Sequence, residues 1–237
     1  MTLTTSALSL QKLAENLRLK LGFVGETPIA NDIFLILDKL KIYLLEYPIK
    51  SDNGDIPAFS AVLIYSTAGD EKLTFIGLNT ADYFDRQIFA IAHELYHFET
   101  KTGSHLSRLS EDQDDLTEIK ANRFAAEFLL PEKVLEDIVV NEFKTSNLHQ
   151  IKIKSLLRFI ARLHCTWWLP YRSIVKRLKE IDAISAEQYK ELFKVNERAM
   201  NSDYGHIGFA INEEVFKKLN TATYNIGTTP YYRRRSI

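Results

Sequence analysis

RQIFAIAHELYHF, residues 86–98, has the spacing of a helix with two unlike faces. His93 and His97 are four residues apart, so on a helix they lie one turn apart on the same side. Two imidazoles in that geometry can share one metal ion, and Glu94 beside them can hold a water against it. Ile88, Ile91, Ala92, Leu95 and Phe98 form a separate apolar stripe suited to burial. Ala90, one turn before His93, leaves space near the metal. Such motifs also arise by chance in large sequence sets, but here the helical context and a second motif downstream argue against accident.

A catalytic zinc usually takes three protein ligands and keeps one position for water, so a third ligand must be sought. His105 lies eight residues past His97, not at the sixth residue where metzincins place a histidine. Glu118 is the better candidate. It opens EIKANRFAAEFLLP, whose Ala121, Phe124, Ala125 and Phe128 form an apolar stripe. Glu118 stands one turn before Ala121 and Asn122, which predicts that it projects toward the protected side. Asp115 and Glu118 also have capping-box spacing, which offers a purely structural role for Glu118. Glu127, nine residues further on, falls on the opposite helix face. Asn122 is placed to orient Glu118 or a histidine.

Around these motifs the chain has 237 residues, 46% hydrophobic and 26% charged, as in ordinary folded domains. Thirty basic residues against 31 acidic ones give a net charge of -1, which offers no support for non-specific nucleic-acid binding. The single cysteine, Cys165, rules out an internal disulfide and a multi-cysteine zinc site. The N-terminal segment lacks a signal-peptide pattern, and no apolar run reaches membrane-spanning length. These features predict a cytoplasmic protein without a membrane partner.

The periodicity predicts α+β architecture. Helices are expected around 10–21 and 29–40, with Gly22 as a stop and Thr27-Pro28 as a cap. Residues 42–47, 59–66 and 72–78 read as three strands of one small antiparallel sheet. Further helices are expected over 85–100, 117–129, 132–143, 148–164, 171–181 and 186–197. The last 35 residues carry no clear period. The division expected is a metal-binding domain over 1–145, a helical, helix-turn-helix-like extension over 146–200, and a segment of unassigned role over 201–237.

HELYH, preceded by RQIFAIA and followed by ExxANRFAAEFLLP, resembles the ImmA/IrrE family of metallopeptidases. The best-matching segment runs from about Asn79 to Pro131, with weaker similarity through LLRFIARLHCTWWLPYRSIVKRL. The resemblance implies a zincin-like core with one Zn2+ held by His93, His97 and Glu118, and Glu94 as general base. It also implies a cytoplasmic protease whose substrate is a helix-turn-helix repressor, cleaved to relieve repression of a mobile element or stress response. Many members carry their own helix-turn-helix domain; with about 80 residues ahead of the metal helix, this chain is expected to stand alone. Tyr96, where glycine is common, and Trp167-Trp168 depart from the family pattern.

Tyr96, His105 and Tyr83 are candidate oxyanion partners, each with a structural role as the plainer alternative. Aromatic residues after Pro131, namely Trp167, Trp168, Tyr171, Tyr189, Tyr204, Tyr231 and Tyr232, are read as large exposed or interface residues able to dock a repressor, with at least one tryptophan assigned to the core. His149, His164, His206 and Cys165 are expected to be structural or at the surface, and YYRRRSI a solvated end. The alternative function is a DNA- or protein-binding regulator with a zinc site but no turnover. Arg158, Arg162, Arg172, Lys176 and Arg177 would supply its positive face.

Overall fold

A computed structural model describes residues 3–50, 59–68, 71–102 and 114–229. Among them the elements run α1 (Leu3–Lys20), α2 (Ile33–Lys39), β1 (Ile42–Tyr47), β2 (Ala61–Ala68), β3 (Glu71–Asn79), α3 (Phe84–Thr100), α4 (Asp114–Leu129) and α5 (Glu132–Phe143). Then follow α6 (Ile153–Trp167), α7 (Tyr171–Glu180), α8 (Ala186–Phe193), α9 (Asp203–Leu219) and β4 (Gly227–Thr229). The class is α+β and mostly helical. α1 stops where Gly22, at φ +89°, lets the Phe23 N–H return to the Arg18 carbonyl at 2.9 Å. Thr27 does not cap a helix. Its hydroxyl donates to the Val24 carbonyl at 3.0 Å, and a 3-10 turn at Ala30–Asp32 leads into α2.

The sheet corrects the expectation of three antiparallel strands. It has four, in the order β2-β3-β1-β4, with β1 parallel to β3 and the outer pairs antiparallel. Consecutive strands are neighbours only for β2 and β3; β2 takes the edge and β3 the place beside β1. Asn79 pins this arrangement. Its buried side chain bonds the N–H and carbonyl of Ile49 and the carbonyl of Phe59, each at 2.8 Å, so it gathers both ends of the β1–β2 connection. β4 is only three residues long, GTT, with no apolar alternation to mark it.

Ile42, Leu44, Leu63, Ile76 and Leu78 give the sheet one buried face, and α3 lies against it through Ile88, Ile91, Ala92 and Leu95. α4 packs on α3 with Ala121, Phe124, Ala125 and Phe128. Buried residues from Leu10 to Leu219 form one contiguous cluster. α6 begins at Ile153 rather than 148, because the Gln188 amide holds the carbonyls of Leu148 and Ile151 at 2.9 Å and keeps that segment a turn.

The aromatic residues expected at an interface are mostly core. Trp167, Trp168, Tyr171 and Tyr204 are all under a tenth exposed. Trp168 meets Phe84 edge-on at 5.7 Å, and Tyr171 meets Tyr204 edge-on at 4.6 Å. The apolar face of α6 is covered while Lys154, Arg158 and Thr166 stay exposed, so apolar size there reports packing rather than docking. Tyr231, Tyr232 and the rest of the YYRRRSI end lie outside the described residues.

Asp85, in the first turn of α3, ties these C-terminal helices to the metal-motif helix. It has no exposure, yet His164 Nε2 bonds its Oδ2 at 3.1 Å and Arg198 reaches both oxygens at 3.0 Å. Tyr204 Oη completes the chain at 3.2 Å from His164 Nδ1. Burial alone would raise the Asp85 carboxyl; the His164 hydrogen bond and the Arg198 charge outweigh it, and the net shift is downward. Its contribution to stability is therefore full above the unfolded value of about 3.9 and is lost as pH falls through the lower folded value. Asp85→Asn leaves Arg198 without its carboxylate and should cost about 3 kcal/mol or more in urea unfolding at pH 7. The gap from wild type should narrow below about pH 4. Equal stabilities at pH 7 would show that the network is not holding the fold.

Candidate metal centre

α3 turns its apolar stripe inward, which leaves His93 and Glu94 facing a cleft of about 540 Å³, with His97 buried one turn behind His93. Ser60 and Ala61 line one wall of that cleft; Pro170, Arg172 and Ser173 line another. Ala90 lies in the floor beside His93 and Glu94, where a larger side chain would intrude. α4 crosses α3 so that Glu118 and Asn122 reach the same space.

His93 Nε2 lies 3.2 Å from His97 Nε2. Glu118 Oε2 is 3.0 Å from His93 Nε2, and its Oε1 is 3.3 Å from His97 Nε2. Bonds of 2.0–2.2 Å at tetrahedral angles separate zinc ligands by roughly 3.4 Å. The three donor atoms thus already sit at nearly the edge lengths of a zinc tetrahedron. The other ring nitrogens are occupied: His93 Nδ1 bonds Asn122 Oδ1 at 3.2 Å, and His97 Nδ1 bonds Thr102 Oγ1 at 3.3 Å. With Nδ1 donating to the Asn122 carbonyl oxygen, the His93 Nε2 lone pair points at the other donors. Two imidazole nitrogens and a carboxylate, with no thiolate, form a donor set suited to zinc.

Electrostatics show three groups competing for too few protons. Burial opposes charge on His93, but its bond with Glu118 and the charges of Glu94 and Glu118 raise its pKa. Burial and the neighbouring His93 lower His97. Glu118 is lowered, first by its bond with His93. A cation at the centre would relieve this competition. Glu118 is 51% exposed on its side chain, so it faces the cleft rather than the protected side expected for it. Asp115, its partner in the capping alternative, has no described side chain.

Glu94 is set apart from these three. Burial pushes its carboxyl up to about 7; the charge of Glu118 adds to this, while His93 and a hydrogen bond from the Leu63 backbone N–H oppose it. Leu63 belongs to the edge strand β2, so the sheet lies against this carboxylate. That contact, and Thr102 behind His97, escape motif reading because a backbone amide and a lone threonine carry no pattern. Tyr65 carries no such pattern either, yet burial and the Glu94 charge push its phenol up.

Other candidates separate from the site. Glu127 is buried with Arg177, 2.6 Å away, and accepts from the Glu132 N–H at 2.9 Å. Tyr96 is buried against His97 and Phe124, and the Tyr83 ring lies under the Arg198 guanidinium at 4.2 Å. His105 lies outside the described residues. Burial pushes the Cys165 thiol up to about 11, so it is an inert core thiol. Of the five cations weighed for DNA contact, Arg162, Arg172 and Arg177 are paired with carboxylates. No helix among the described residues is long and apolar enough to cross a membrane.

A His-Glu-x-x-His helix joined by a glutamate from the next helix defines the metallopeptidase class of centre. A family model described as Peptidase_M78, IrrE N-terminal-like domain, matches residues 37–162, more than half of the chain, and the protein belongs to that family. No curated protein and no solved structure matches it.

The geometry makes the metal content testable. One zinc per chain should survive dialysis of the wild type and be largely lost from His93→Ala and His97→Ala. Asn122→Ala should lower zinc affinity by roughly 10–100-fold without removing a ligand. Unchanged affinity in Asn122→Ala, measured by competition with a chromogenic chelator, would mean that this residue does not orient His93.

Proposed function

We propose that the protein is a zinc-dependent endopeptidase that cleaves a helix-turn-helix transcriptional repressor in the cytoplasm and so relieves repression. The observation that carries the peptidase reading is the position of Glu94: beside the three donor atoms, on the cleft, and close to the Leu63 N–H of β2. His93, His97 and Glu118 would hold the zinc. When bound, zinc supplies Lewis acidity, which polarises a peptide carbonyl and acidifies water at the site.

The protein's own residues supply the rest. Glu94 accepts the proton of the attacking water on its free carboxylate oxygen and delivers it to the departing amide nitrogen. A carboxyl raised to about 7 accepts a proton near neutral pH far better than an ordinary glutamate, which is too weak a base to hold one, and it can still pass that proton on. The backbone of β2 can hold the substrate. In its register with β3, Ser60 accepts from Asn79 on the inner side, while the Leu63 N–H turns outward to Glu94. Ala61 and Tyr65 share the outward phase of Leu63, so their amides and carbonyls are open to an extended peptide. Substrate would thus lie between the free edge of β2 and the zinc.

The repressor as substrate rests on the family resemblance, and selectivity is what a cytoplasmic protease needs to spare its host. Zinc-loaded protein, incubated with the repressor encoded beside it, should cut it at one or a few bonds. Glu94→Gln should keep zinc and fold yet reduce the cleavage rate by at least about a thousandfold, the loss expected when the proton carrier is removed. Glu118→Gln should instead weaken zinc binding, because a neutral amide is the poorer ligand. Casein should be a poor substrate for the wild type. Cleavage by Glu94→Gln at the wild-type rate would exclude Glu94 as the base, and indiscriminate digestion of casein would point to a degradative role.

A further inference from the structure

The cleft does not end at the metal. A second cavity of about 440 Å³ shares Phe89, Asn122 and Ser173 with it and continues along α7 toward Lys176 and Glu180. The two form one groove, with α3 and α4 on one side and α7 on the other. On α7, Ile174, Val175 and Leu178 are buried, which leaves Arg172, Ser173 and Lys176 on the groove side.

The cations along this groove are not equivalent. Arg177 is 1% exposed and spent on Glu127. Arg123 is paired with Glu132 and Glu180. Arg198 spends one terminal amino group on Asn220 and the other on Asp85. Arg86 faces Asp82 at 3.6 Å. Arg172 differs. It meets Glu197 through Nε, at 3.3 Å, which leaves its two terminal amino groups for the groove, and its side chain is 52% exposed. Lys176 is exposed, and its ammonium has no ion-pair partner among the described residues.

Arg172 is also held in place. Glu197 is buried behind it, and its guanidinium lies over the Phe193 ring at 5.2 Å. A cation fixed in this way loses little freedom on meeting a carboxylate. The carboxylates nearby are already committed: Glu197 to Arg172, Glu180 to Arg123 and Arg177, and Glu118 to the imidazoles.

We infer that Arg172 and Lys176 form a specificity subsite for an acidic side chain of the substrate, on the α7 side of the scissile bond. A carboxylate in the groove would accept from the Arg172 terminal amino groups and lie within the field of Lys176. A substrate chain entering along β2 would then be read twice, by backbone pairing without regard to sequence and by charge at α7. The inference rests on the peptidase reading, and its test uses binding so that the two can fail separately.

The probes are short peptide hydroxamates, which chelate zinc, identical except for Glu, Gln or Lys at successive positions on either side of the hydroxamate. Affinities are measured by fluorescence anisotropy on the full zinc-loaded chain. At one position the Glu probe should bind roughly tenfold more tightly than the Gln probe, and the ratio should shrink in 1 M salt. The ratio should fall toward one in Arg172→Ala with Lys176→Ala, and Arg172→Glu with Lys176→Glu should favour the Lys probe. Lys176→Ala alone disturbs no internal pair, so a reduced ratio there supports the inference even if the Arg172 variants fold poorly. A Glu-to-Gln ratio near one at every position, or one unchanged in Lys176→Ala and in the double variants, overturns it. If acetohydroxamate binds but charge preference is absent, the subsite fails and the metal centre stands. If the charge preference is present but wild type cuts no protein, the subsite stands and the peptidase reading fails. If no hydroxamate binds, both fail.

Discussion

Asp85 has no exposed surface and sits in the first turn of the helix that carries both histidines. A carboxylate in that position is costly unless it is paired and hydrogen-bonded on every side. His164 from α6 and Arg198 from the segment before α9 meet that requirement, and the Arg86 N–H adds a bond at 2.8 Å within α3. The start of α3 is thereby fixed to two elements far away in the chain. Arg198 also lines the metal cleft. The same ion pair that secures α3 thus defines one wall of the space in front of it. The helices after α5 are part of the construction of the site, not an appendage to it.

Fixing α3 at its start has consequences two turns later. His93 and His97 can meet Glu118 at 3.0–3.3 Å only if α3 and α4 cross at the right depth. Small residues allow that depth: Ala92 on α3, and Ala121 and Ala125 on α4, are all without exposure. Phe124 and Phe128 stack beside them at 5.6 Å and stop α4 from sliding further. Donor atoms held by packing would need little reorganisation to take up a metal ion, and affinity gains from each degree of freedom already lost.

What could be read from the sequence follows from the range of the interaction. The His93–His97 pair is local, one turn of one helix, and its meaning is visible in five letters. Glu118 was legible through its place on the next amphipathic helix, although its half-exposed position was not. The buried aromatic residues after Pro131 could not be told from docking residues, because a tryptophan on a helix looks the same whether its cover is another helix or a partner. β1 beside β3 was hidden because the determinant is Asn79, one polar side chain joining residues 49 and 59. The Asp85 pairings span 79 and 113 residues, which no periodicity records.

The burial of those aromatic residues changes how substrate selection must work. With Trp167, Trp168, Tyr171 and Tyr204 committed to the core, the C-terminal helices cannot grip a partner through these large aromatic anchors. What α7 does offer the groove is polar and charged: Arg172, Ser173 and Lys176, opposite Phe89 and Ile119. Ion pairs at such a rim discriminate between partners and speed encounter more than they add affinity. A protease selecting its substrate this way would bind weakly and choose by charge and by access to an extended segment. Folded proteins without a loose strand near an acidic residue would be passed over, because a strand edge such as β2 could pair only with backbone already free of its own sheet or helix.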